Sequence, residues 1–131
     1  EGLAARLAAG RMSQREFLRL EHAQARLDAA TEAHDLAELA SLNVSFHEVI
    51  LRATNNATLI GFMEQIHASL RRATQTTLAY PGRAKQALQE HRELIKAFER
   101  RDAAEAERIA RQHIDNAFSI RILLNLREEM D

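Results

Sequence analysis

Six histidines stand in this 131-residue chain, and the positions of three of them on helical stripes raise the possibility of a metal. Residues four apart on a helix share a face. Asn43 and His47 are so spaced, on a stripe with Leu39, Phe46 and Ile50. His91 lies at the centre of Ala84, Ala87, Leu88, Leu94, Ile95 and Phe98, and His113 at the centre of Ala106, Ile109, Ala110, Ala117, Ile120 and Leu124. A single histidine on an apolar face is usually a core residue with one satisfied nitrogen. Three on three separate helices ask for more, because each buried imidazole is costly unless its nitrogens find partners. A shared cation would satisfy one nitrogen on every ring, and three imidazoles with one oxygen donor suit a divalent transition metal, zinc or nickel before others.

The other histidines read as ordinary. His34 falls at a helix C-terminus, where a partly charged ring suits the dipole. His22 sits beside Glu21 on a mixed surface, and His67 on the edge of a stripe of Leu59, Phe62, Met63, Ile66 and Leu70. Glu64 and His67 make a single E-x-x-H, where a di-iron carboxylate bundle needs two and a further pair of glutamates. There is no H-E-x-x-H, no G-x-S-x-G and no glycine-rich phosphate loop. Glu90 adjoins His91 but should point about 100° away from it.

The elements that must carry these residues are all helices. Ala, Leu, Glu, Arg and Gln dominate, with four Gly and one Pro, which is a helix-forming composition. A first helix is expected over Gly2–Ala9, stopped by Gly10. "SQRE" (Ser13–Glu16) reads as a capping box opening a second helix to about Ala33. "DLAE" (Asp35–Glu38) opens a third to about Ala53. Asn55 or Asn56 caps a fourth reaching about Ala79, and "YPG" (Tyr80–Gly82) is a turn. A fifth spans Arg83–Arg100, and "DAAE" (Asp102–Glu105) caps a sixth to about Arg127. Short connections between six helices favour antiparallel neighbours in one bundle-shaped domain over residues 1–131.

Composition also sets bounds on function. No cysteine is present, so disulfides and thiolate metal sites are excluded, and a reducing, cytoplasmic setting fits. No apolar run reaches the roughly 20 residues of a membrane span. A net charge of −1, with 18 basic and 19 acidic residues interspersed, lacks the footprint of a nucleic-acid-binding surface.

Taken jointly, "NVSFH" (Asn43–His47) and "QEHRELIKAFERRDAAEAERIARQHI" (Gln89–Ile114) resemble the FCD domain, the C-terminal effector-binding domain of FadR-type GntR transcription regulators. The resemblance rests on Asn43, Phe46-His47, Glu90-His91, Ile95, Ala97, Asp102, Ala106 and His113, and the opening "EGLAARLAAGRMS" is similar to that family's first helix. It implies an antiparallel bundle of six to seven helices and a divalent metal held by Asn43, His47, His91 and His113. It also implies a small organic acid in a cavity beside the metal, a homodimer, and a bacterial regulator that meets DNA through a winged helix-turn-helix absent from these residues. Asn43 departs from the family, where metal-binding members usually carry Asp. An amide brings no charge, so weaker metal binding and a more positive site are expected. Arg71, Arg72, Arg83 and His67 are the candidate effector contacts. Two other classes stay open. A metal-dependent hydrolase or isomerase would need a general base by the metal, for which the interior stripes offer no spare carboxylate. In a metal-free interaction bundle the histidines would be structural.

Overall fold

Four short polar stretches divide the chain, and each works through a side chain that answers the free N–H groups of a helix start. Ser13 Oγ accepts from the Glu16 amide while the Glu16 carboxylate accepts from the Ser13 amide at 2.7 Å, a complete capping box. Asp35 and Asp102 accept from the amides of Glu38 and Glu105 at 3.0 and 3.1 Å, and Asn56 accepts from Leu59 at 3.0 Å. The computed structural model describes residues 1–71 and 76–131, apart from the side chains of 70 and 71. Among these residues it contains α1 (Gly2–Arg11), α2 (Gln14–Glu32), α3 (Leu36–Ala53), α4 (Ala57–Arg71), α5 (Arg83–Glu99) and α6 (Ala103–Met130), with a 3-10 turn at Thr77–Ala79. No described residue lies in a strand. This is the all-helical antiparallel bundle expected.

Helix ends depart from expectation where a side chain outside the local pattern intervenes. Gly10 does not stop α1. The helix runs on to Arg11, whose guanidinium donates to the Thr54 carbonyl at 2.6 Å and ties the end of α1 to the end of α3. The fourth helix does not extend to Ala79. Thr76 is extended, and its hydroxyl accepts from Leu78 to open the 3-10 turn ahead of Tyr80–Gly82. Three helices end on left-handed residues that are not glycine: His34, Asn55 and Arg101, with φ of 53°, 50° and 53°. Arg101 is held there by its own side chain, which donates to the Met12 and Ala9 carbonyls at 2.8 and 3.3 Å.

The principal core joins five helices. α2 packs on α3 and α5, α6 on α1 and α5, and α1 on α3. Leu20, Leu27, Phe46, Ile50, Leu88, Leu94, Phe98 and Ile109 are buried between them. Burying such side chains is the main favourable term in folding, at roughly 1.5–3 kcal/mol each. α4 attaches through a smaller cluster, Met63 against Ala4 and Leu51. Its expected stripe is only partly internal, with Phe62 60% and Ile66 38% exposed.

Candidate metal and effector site

The packing of α3, α5 and α6 brings His47, His91 and His113 together. One ring nitrogen from each lies within 4.8 Å of the others. The ring centroids are 5.1 Å apart for His47 and His91, 5.0 Å for His47 and His113, and 4.9 Å for His91 and His113. Nε2 of His113 faces Nε2 of His47 at 3.2 Å. His91 is buried, and its ring is stacked on Phe46 at 4.0 Å with 7° between the planes. Neither of its nitrogens has a hydrogen-bond partner among the described residues, and the buried Asn43 Oδ1 has none either. Orphaned buried polar atoms cost about 1–3 kcal/mol each. One lone-pair nitrogen of His91 and the Asn43 oxygen, beside two imidazoles that face one another, are what a cation in this space would satisfy. The donor set therefore fits a divalent ion.

His113 is oriented by residues behind it. Its Nδ1 donates to Glu90 Oε1 at 2.8 Å. The same carboxylate oxygen accepts from Arg83 at 2.7 Å, and the other oxygen accepts from Asn116 Nδ2. Burial pushes the Glu90 carboxyl up, but bonds from His113, Arg83 and Asn116 outweigh it and hold the group below the usual carboxylate range. An anionic Glu90 keeps the proton of His113 on Nδ1, so Nε2 presents its lone pair toward His47. Arg83 is 2% exposed and also donates to the His113 carbonyl at 3.2 Å and to Gln86 at 3.0 Å. Burial, reinforced by the charge His113 would carry, lowers His47 to about 3. Burial, then His47 and His113, likewise puts His91 well below the ordinary imidazole range. Both rings are therefore neutral near pH 7, the form that ligates metal.

A cavity of about 440 Å³ opens on this cluster. His47, His113 and Asn43 form its floor; Val44, Ile114, Ala117 and Phe118 are its apolar walls; Arg121 and the Glu1–His67 pair carry charge at its lining. Glu1 and His67 meet at 2.7 Å. Burial raises the Glu1 carboxyl, but His47 and His67 together bring it below its usual value. Of the four effector contacts expected from sequence, His67 lines the cavity and Arg83 does not, since its guanidinium is bound behind His113. Arg72 and the side chain of Arg71 lie outside the described residues. Arg121 was not expected. It sits two turns beyond His113 on α6, half-buried, and forms no ion pair among the described residues. Its position eight after His113 on one helix was the available signal.

Comparison with known proteins bears on this arrangement. The family model of the FCD domain matches residues 1–116. No curated protein sequence matches the chain. Among solved structures, E. coli McbR/YncC superposes with a TM-score of 0.76 at 17% identity over 91% of this chain, which spans 60% of that chain's length.

Proposed function

The chain belongs to the FCD domain family, and from that premise we propose that it is the ligand-sensing and dimerisation domain of a GntR-type transcription regulator, in which a divalent metal anchors a small organic acid. The observation that carries this reading is the convergence of His47, His91 and His113 with unpartnered nitrogens on His91 and an unpartnered Oδ1 on Asn43. These four residues would hold the ion. When bound it supplies a Lewis-acidic centre for a carboxylate. The chain's own residues do the rest: Glu90 orients His113, Phe46 fixes the plane of His91, and the apolar wall offers contact to the ligand's carbon chain.

Sensing rather than catalysis follows from the balance of groups. Three neutral imidazoles and a neutral amide leave the charge of the ion uncompensated in its immediate surroundings, which favours tight retention of an anion. Glu90, the carboxylate nearest the cluster, is engaged by His113, Arg83 and Asn116 and is not free to act as a general base. DNA contact falls to another domain, and a twofold dimer suits an operator of two half-sites. Surface apolar residues such as Leu3, Leu126 and Phe62, each at least half exposed, offer material for that contact.

Elemental analysis of the purified domain, paired with thermal shifts for small carboxylates before and after chelation, tests the reading. Stoichiometric zinc or nickel is expected, with carboxylate-induced stabilisation that chelation removes. If no metal binds on addition of either ion and carboxylate binding is indifferent to chelator, the histidines are structural.

A further inference from the structure

The cavity lining combines an apolar wall with polar groups, among them the His47, His113 and Asn43 floor, Arg121, the Glu1–His67 pair, Thr76 and Thr77. The floor presents the proposed metal, and Val44, Ile114, Ala117 and Phe118 form the wall. Resting on the metal reading above, we infer that the effector is an aliphatic dicarboxylate, with one carboxylate directed to the metal and the other bound by Arg121.

Spacing supports this. His113 and Arg121 are separated by eight residues of one helix, a rise of about 12 Å. An imidazole and an ion reaching in from one end, and an arginine side chain folding back from the other, leave a gap suited to a chain of roughly four to six carbons. Charge supports it as well. The two charges of the ion and the one on Arg121 exceed the single charge of Glu1 by two, the charge of a dicarboxylate. Glu1 is itself engaged by His67 at 2.7 Å, which leaves Arg121 as the cation at the lining with no ion pair among the described residues. The wall of Val44, Ile114, Ala117 and Phe118 offers apolar contact to the aliphatic chain that joins the two carboxylates.

Titration calorimetry on the zinc- or nickel-loaded domain tests the inference with matched pairs: succinate against butyrate, adipate against hexanoate, and gluconate as the hydroxylated acid. A dicarboxylate should bind about tenfold or more tightly than its monocarboxylate, as expected for a charge-assisted hydrogen bond. Arg121→Gln should bring the dicarboxylate down to the monocarboxylate level while metal content and monocarboxylate affinity stay unchanged, and Arg121→Lys should keep part of the difference. Equal affinities within each pair, a preference for gluconate, or a dicarboxylate preference that survives Arg121→Gln would overturn the inference and leave the metal reading standing. A domain that takes up no metal would sink both, and metal content measured beforehand separates the two failures.

Discussion

Glu90 Oε1 lies 2.8 Å from His113 Nδ1, so a carboxylate on α5 sets which nitrogen of an α6 imidazole is free to face the cavity. Arg83, one of the least exposed side chains in the protein, sits on the same oxygen at 2.7 Å and on the His113 carbonyl at 3.2 Å. The buried pair is thus a support for the site and not a part of its surface. A buried ion pair is poor evidence for stability in itself, since desolvation offsets attraction. Its value here is positional.

Removing half of that pair should therefore show in two measurements. Glu90→Gln leaves Arg83 charged and buried without an anion, and should cost about 3 kcal/mol or more in chemical denaturation. It also lets the His113 proton move to Nε2, which should weaken metal affinity about 10- to 100-fold. In Arg83→Met with Glu90→Gln, much of the stability should return while metal affinity stays low. Metal binding at the parent level in the double variant would show that the carboxylate does not orient His113.

Asn43 supports a prediction whose sign depends on the metal. Its Oδ1 is buried and unpartnered. Asn43→Asp adds a negative charge there, so the metal-free domain should melt lower while the metal-loaded domain binds its ion more tightly and its carboxylate ligand less tightly. Asn43→Leu should do the reverse, raising the metal-free melting temperature by removing an unsatisfied polar atom. If Asp and Leu shift the metal-free and metal-loaded forms in the same direction, Asn43 is not a ligand.

The helices and the three central histidines could be read from the sequence because both depend on local order. Capping at Ser13, Asp35 and Asp102 is a matter of three-residue spacing, and the stripes around His91 and His113 follow from the 3.6-residue period. What escaped was set by tertiary partners. Gly10 reads as a stop, but Arg11 finds the Thr54 carbonyl on another helix, and α1 continues. Glu90 points away from His91 as its angle requires, yet the sequence does not say that His113 waits on that side. Arg83 looks like a surface cation until Glu90 and His113 enclose it. Phe62 fits an inward stripe, but α4 meets the bundle along a narrow strip at Met63.

Helix ends provide a test apart from the site. His34 ends α2 at φ 53° and lies on the surface. Glycine takes this conformation without the Cβ penalty, so His34→Gly should raise stability by about 0.5–1 kcal/mol. Arg101 has the same φ, but its side chain joins the Met12 and Ala9 carbonyls. Arg101→Gly relieves the backbone and loses those bonds, and should destabilise. Equal responses at the two positions in denaturant melts would remove the role assigned to the Arg101 side chain.

Acid should loosen the metal-free domain through the same imidazoles that make the site. His47 is lowered to about 3, mainly by burial, and His91 is lowered well below its ordinary value by burial and by its two neighbours. Each is released to an ordinary value near 6.5 on unfolding. The unfolded chain then binds more protons, so stability is full above about pH 6.5 and falls as pH drops toward the folded value. The slope should approach roughly 1.4 kcal/mol per pH unit for each imidazole kept neutral. Between pH 6.5 and 5 the carboxylates contribute little, since they titrate lower, so this window isolates the histidines. Urea melts of the metal-free domain should show the loss there, and His91→Phe should reduce the slope by about one proton. In the loaded domain the same protons compete with the ion, making the loss steeper and coupled to metal release. A melting midpoint that is flat from pH 7 to 5 in the metal-free domain would mean that these rings take up protons in place, and the closed, neutral cluster described here would not stand.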